Sequence, residues 1–217
     1  MSEYSIEENR EKLGLGIYVY KNVMNDPDDF LKNIKQVFEN GTAKWDSIEE
    51  INLANKNKPR SAKRDLETFT IPYRLAKFLL DTHNMPMQAF NNIVGNKLYS
   101  ILDKIEKDYC QNLHPMPMPP VHEPYYILKY GENNFFDDHG DTTFSHPRAV
   151  SLIFYLNSDY EGGEIEFPEL DLIYKPKGND VLVFPSNFIY HHKVHSITSG
   201  TRYAIVTWLL NSEIIED

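Results

Sequence analysis

The residues best suited to chemistry lie in the second half of the chain. Five of its eight histidines, His139, His146, His191, His192 and His195, fall after residue 130. His139 and Asp141 form an H-x-D pair. In an extended strand, residues two apart project from one face, so an imidazole nitrogen and a carboxylate oxygen can grip one ion. Alone the pair is a weak signal, because H-x-D arises by chance in many chains. A third ligand has to come from elsewhere in the sheet, and the segment YHHKVH at 190–195 offers His191, His192 and His195. Two histidines and a carboxylate make a facial triad. Such a triad leaves three adjacent positions free on an octahedral iron(II), enough for a bidentate keto acid and dioxygen. The same ligands would serve a tetrahedral zinc hydrolase. Arg202 separates the two, since it opens the apolar strand RYAIVTWLL. A buried arginine there needs an anion, such as a distal carboxylate.

Other conspicuous residues have plainer readings. His83, His114 and His122 are expected to be structural, and whichever of the 190–195 histidines is not a ligand should be a neighbour of the site. Phe154, Tyr203, Ile205, Thr207 and Trp208 suit strand packing, because aromatic and β-branched residues favour strands. Gly162 and Gly163 fit a tight turn; no helix start follows them to cradle a phosphate. Cys110 ends a helical stretch with no base at any motif spacing, which argues against a nucleophile.

The elements that must position these residues change character along the chain. Residues 26–41 predict a helix: Asp26 can cap it, Pro27 suits its first turn, Asp28 and Asp29 favour its positive end and Gly41 can close it. Its buried face would be Phe30, Ile34, Val37 and Phe38. The polar stretch 47–65 reads as a connector or a substrate-covering loop. Residues 72–80 and 87–109 return to helical spacing. The proline-rich HPMPMPP at 114–120 sustains neither a helix nor a central strand. After it, β-type runs at 125–130, 149–156, 164–167, 172–174, 181–184 and 202–210 indicate a sandwich or barrel. The order is helices first, then an all-β core, and 217 residues suit one domain.

Bulk properties narrow the function classes. The hydrophobic fraction of 41% and charged fraction of 25% are ordinary for a globular protein. No apolar run approaches a membrane span, and MSEYSIEENREKLGLG lacks a signal-peptide core. A net charge of −10 disfavours a nucleic-acid partner. One cysteine excludes an internal disulfide and points to a reducing cytoplasm. The segment ends on the acidic NSEIIED.

Three stretches, YGENNFFDDHGD, RAVSLIFYLNSDYEGGEIEFPE and PKGNDVLVFPSNFIYHHKVHSITSGTRYAIVTWLL, resemble the prolyl 4-hydroxylase-like branch of the iron(II)/2-oxoglutarate dioxygenases, in its small bacterial and phage form. The resemblance covers roughly residues 125–210. In that pattern a glycine and a cation follow the last metal ligand by eight and ten residues. Gly200 and Arg202 fit this count from His192, and not from His191 or His195. Ser196 departs from the usual proline.

The resemblance implies an α+β fold, a double-stranded β-helix (jelly-roll or cupin-like) at 121–210 carried on a mainly helical support at 1–113. It implies Fe(II) on His139, Asp141 and His192, with 2-oxoglutarate and O2 as cosubstrates and ascorbate as a candidate reductant. Arg202 would bind the 2-oxoglutarate C5 carboxylate with help from Tyr155 or Tyr130. The reaction would hydroxylate an unactivated C–H bond, foremost that of a prolyl residue in a peptide or protein, and release succinate and CO2. A small molecule or another side chain is the alternative substrate. Tyr126, Asp137, Asp138, His146, Arg148 and the 47–65 loop are candidates for the mouth, though Arg148 suits a salt bridge equally well. Outside this class stand a non-catalytic metal-binding jelly roll and the zinc hydrolase. Oligomeric state is not legible.

Overall fold

The run AVSLIFYL at 149–156 is apolar almost throughout because its strand is buried on both faces. Val150, Leu152, Phe154 and Leu156 join a core beneath the helices, while Ile153 and Tyr155 join a second core between two sheets. The neighbouring strands divide the same way: Val181 and Val183 face the helices, and Leu182 and Phe184 face the second sheet.

The protein is described by a computed structural model covering residues 5–41, 43–47, 64–71, 85–115, 121–144 and 146–210. Its strands in chain order are β1 (Arg10–Gly14), β2 (Ile17–Tyr20), β3 (Asp46–Ser47), β4 (Arg64–Asp65), β5 (Glu67–Ile71), β6 (Val121–His122), β7 (Tyr125–Tyr130) and β8 (Phe135–His139). They continue with β9 (Arg148–Tyr155), β10 (Tyr160–Gly162), β11 (Ile165–Phe167), β12 (Leu172–Tyr174), β13 (Val181–Pro185), β14 (His192–Val194), β15 (Ile197–Gly200) and β16 (Arg202–Leu210). The helices are α1 (Pro27–Glu39) and α2 (Met85–Glu106), the latter running into a π-helical segment at Lys107–Leu113.

The large sheet runs β1-β2-β13-β9-β16-β7-β5-β3, with β6 added beside β16; the smaller runs β12-β11-β14-β8-β4, and β10 pairs with β15. Among the described residues every pairing is antiparallel. Helices, large sheet and small sheet therefore form three layers. Phe30, Leu31 and Ile34 of α1 and Val94, Leu98, Leu102 and Ile105 of α2 fill the outer core.

The expected strands at 125–130, 172–174 and 202–210 are found with those bounds, and the others within two residues. The N-terminal half, however, is not only a helical support. β1, β2, β3 and β5 extend the large sheet, and β4 extends the small one. IYVY in β2 is buried at all four positions, so its apolar run carries no period that would single out a strand.

α1 begins and ends where its signals place it, with Pro27 in its first turn and Gly41 at φ 74° beyond its end. Asp26 does not cap it, because its side chain forms no cap bond and pairs instead with Lys97 of α2. The π-helical segment is clamped to the sheet: Asp108 accepts from Arg10 Nη1 at 2.6 Å and from the Tyr20 hydroxyl at 2.9 Å. Cys110 is buried there, and burial pushes its thiol up to about 12, which keeps it an unreactive thiol. The expected helix at 72–80, most of the 47–65 and 114–120 segments and the acidic 211–217 stretch lie outside the described residues.

Candidate metal centre

β8 and β14 pair so that His139 lies opposite His192. That register brings the rings to 4.3 Å between centroids. Asp141 is not on the strand itself, as the H-x-D reading assumed: β8 stops at His139 and Asp141 follows in a bend. The link between them is Gly140, where a Cβ would lie 2.8 Å from His191 Nε2. The middle residue of the motif is thus small because His191 packs on it.

His139 Nε2 is 3.7 Å from Asp141 Oδ1, and His192 Nε2 is 3.9 Å from Asp141 Oδ2. One donor atom from each of the three lies within 4.8 Å of the others, the only such group of His, Cys, Asp and Glu among the described residues. Each imidazole is oriented by its far nitrogen. His139 Nδ1 is 2.8 Å from the Asp137 carbonyl and His192 Nδ1 is 3.1 Å from that of Tyr190. A carbonyl only accepts, so Nδ1 carries the proton and the Nε2 lone pair is left for a cation.

Electrostatics favour the same state. Burial, then neighbouring His192, pushes His139 down to about 4, so it stays neutral near pH 7. Burial alone would raise Asp141, but His192, His139 and the hydrogen bond from Ser151 outweigh it and hold the carboxyl below its ordinary value. A buried carboxylate flanked by two imidazole nitrogens is a donor set that a metal cation would satisfy.

The other two histidines of 190–195 point elsewhere. His191 is directed to Asp138, with Nδ1 3.5 Å from Oδ2, and His195 Nε2 reaches Glu166 at 2.7 Å. Only His192 faces His139 and Asp141.

Arg202 opens β16, where it pairs with Tyr130 of β7, while Ala204 pairs with Tyr155 of β9. It is 1% exposed. Its guanidinium carbon sits 4.8 Å from the Tyr130 ring centre and 5.1 Å from that of Tyr155. Among the described residues, Nε and Nη1 are buried without a hydrogen-bond partner, as are the hydroxyls of Tyr155 and Tyr160. Buried polar atoms are rarely left unsatisfied. Donors gathered around one cation call for an anion that is bound during function.

Gly200 enforces the turn into β16. Its φ is 81°, and a Cβ there would come within 2.7 Å of the Asp159 carbonyl oxygen. Sequence reasoning missed Tyr160, whose hydroxyl becomes relevant only because β10 folds against β15.

Of the mouth candidates, Asp138 is exposed beside His139 and Tyr126 is half-buried against Trp208. Arg148 is ion-paired: Nε and Nη2 each lie 2.7 Å from the Glu123 carboxylate, and Nη1 reaches the Asp141 carbonyl at 3.3 Å. Its guanidinium also stacks 3.5 Å from the Trp208 ring centre. The salt-bridging reading of Arg148 is the one the geometry favours. Asp137 and His146 are exposed, His122 is buried against Glu106, and most of the 47–65 loop is outside the described residues.

Residues 125–210 match the family profile of the 2OG-Fe(II) oxygenase superfamily. A PKHD-type hydroxylase of Psychrobacter sp. is 35% identical over 101 residues, covering 42% of this chain and 38% of that protein. Human prolyl 3-hydroxylase 2 is 32% identical over 94 residues, covering 41% and 13%. The matched stretches thus span well under half of these relatives. Among solved structures, the viral collagen prolyl hydroxylase of Paramecium Bursaria Chlorella virus-1 superposes with a TM-score of 0.61 at 15% identity, covering 90% of this chain and 96% of that one. A Trichoplax adhaerens prolyl hydroxylase, solved with a hypoxia inducible factor peptide, gives 0.64 at 17% identity, covering 90% and 84%. At these identities the likeness is one of fold.

Proposed function

We propose that this chain is a single-domain Fe(II)/2-oxoglutarate-dependent hydroxylase of the prolyl 4-hydroxylase-like branch, acting on a prolyl residue of a peptide or protein; the match of residues 125–210 to the 2OG-Fe(II) oxygenase superfamily profile supports it. The observation that carries the reading is Arg202, a buried cation whose Nε and Nη1 have no hydrogen-bond partner among the described residues, in a chain that also gathers His139, Asp141 and His192. A zinc hydrolase has no use for such a cation. A jelly roll that had lost catalysis would have no reason to keep it uncompensated.

His139, Asp141 and His192 would hold Fe(II), whose neutral-nitrogen and carboxylate donor set suits that ion. With 2-oxoglutarate and dioxygen bound, the metal supplies the oxidising power for C–H hydroxylation, releasing succinate and CO2. The chain's own residues do the rest. Arg202 would pair with the C5 carboxylate, and the hydroxyls of Tyr155 and Tyr160 would complete its shell. Tyr130 packs its ring face on the guanidinium. The cores on both sides of β9 and β16 exclude water from this end, which strengthens the ion pair. None of these side chains has to act as an acid or base.

The peptidyl-proline substrate is supported by relatives and solved structures that carry prolyl hydroxylase names. The sandwich is the double-stranded β-helix of this class, and a reducing cytoplasm suits its one buried thiol. No helix among the described residues is long and apolar enough to cross a membrane.

The test is anaerobic addition of Fe(II) and 2-oxoglutarate, watching for the visible charge-transfer band of the chelate, followed by succinate release in air with proline-containing peptides. Absence of both the band and succinate would sink the reading.

A further inference from the structure

Two serines behind the triad have no role in the reading above. Ser151 Oγ lies 2.5 Å from Asp141 Oδ2, and Ser186 Oγ lies 2.7 Å from Ser151 Oγ. The two serines are 0% and 1% exposed. We propose that Ser151, backed by Ser186, is a positioning residue that commits Asp141 to binding metal through one oxygen only. This rests on the metal-triad reading.

The proton count fixes the direction of the chain. An ionised carboxylate only accepts, so the single hydroxyl proton of Ser151 is given to Asp141 Oδ2. The Ser151 oxygen then accepts the proton of Ser186. The two hydroxyls are oriented head to tail, and the short contact to the carboxylate is of the charge-assisted kind.

The fold builds this relay from three separate segments. Ser151 sits mid-strand in β9, opposite Phe184 of β13 and Trp208 of β16. Ser186 lies just past β13, its N–H donating to the Ala149 carbonyl and its own carbonyl accepting from Thr142 N–H. The Asp141–Thr142 bend is thus tied to the same serine that orients Ser151. Burial leaves no solvent to replace either hydroxyl.

The consequence concerns coordination number. Oδ1 faces His139 Nε2 and Oδ2 faces His192 Nε2; the Ser151 proton on Oδ2 takes up donor capacity there and favours Oδ1 as the oxygen that binds a metal. A carboxylate free to chelate through both oxygens would take one of the three positions that a keto acid and dioxygen need. The relay keeps that position open.

Co(II) is the probe, titrated into the full chain without 2-oxoglutarate and read by its d–d absorption and its dissociation constant. Ser151→Ala should weaken Co(II) binding by about tenfold, as loss of an outer partner of a ligand does, and change the d–d band as Asp141 becomes free to chelate. Ser151→Thr should restore the wild-type spectrum. Ser186→Ala should shift the same band with a smaller loss of affinity. A Ser151→Ala protein with the wild-type spectrum and affinity overturns the proposal. Should Ser151→Ala not fold, Ser186→Ala decides, and an unchanged Co(II) band there overturns the relay. Failure of the wild type to bind Co(II) removes the metal reading itself, a different outcome from wild-type binding that is indifferent to both serines.

Discussion

Two arginines stand at opposite ends of the strand pair that frames the site. Arg148 opens β9 and pairs in register with Leu210, the last residue of β16; Arg202 opens β16 two residues before the partner of Tyr155, the last residue of β9. Both are largely buried, yet Arg148 is neutralised by Glu123 through two nitrogens, while Arg202 Nε and Nη1 have no partner among the described residues. A buried cation that folding satisfies serves the structure. One that folding leaves uncompensated is kept for a ligand, at a cost in stability.

Replacing each arginine in turn would break or sharpen this contrast. The largest effect is expected for Arg202→Met. Removing one partner of a buried ion pair costs about 3–5 kcal/mol, so 2-oxoglutarate affinity measured by calorimetry should fall more than about a hundredfold. Co(II) affinity should hold, and the ligand-free protein should melt no lower than wild type. A fall in melting temperature without loss of 2-oxoglutarate binding would dissolve the distinction.

Arg148→Met should do the reverse. It strands the Glu123 carboxylate and removes the Trp208 stack, so denaturant unfolding should show a loss of about 3–5 kcal/mol. Arg148→Met combined with Glu123→Gln should recover much of that loss. A smaller effect is expected of Tyr160→Phe. Deleting one hydrogen bond to a charged group is worth about 1.5–3 kcal/mol, so the 2-oxoglutarate dissociation constant should rise by roughly ten- to a hundredfold, with stability unchanged.

The mildest test is pH. His139 takes a proton near its ordinary 6.5 when unfolded but only near 4 when folded. Between those values the unfolded chain binds more protons, so the metal-free protein should lose stability as the pH falls from about 6.5 towards 4. Added Zn(II) should oppose the loss. His139→Asn should flatten this segment of the melting-temperature profile.

How much was legible in the sequence varies residue by residue. The H-x-D pair is local and survives in the structure as His139 and Asp141 with donor atoms 3.7 Å apart. β9, β13 and β16 announced themselves through dense apolar runs, because they are buried on both faces. β1, β2 and β8 gave weaker signals: β8 is the polar FFDDH, half-exposed along its length, and shows no clean alternation. Asp26 carried a capping signal that tertiary pairing with Lys97 overrode.

The chain by itself determined which residue types the site contains, since ligand chemistry and the spacing of a turn are written in consecutive residues. Tertiary structure decided what those residues do. The β8–β14 register chose which histidine faces His139. The folding of β10 onto β15 brought the Tyr160 hydroxyl into the group of unpartnered donors at the Arg202 end. The meeting of β9 with the end of β13 joined two serines, thirty-five residues apart, behind one carboxylate. Hydrogen-bond partners are set by which strands become neighbours, and one arginine is paired and the other left open by that choice alone.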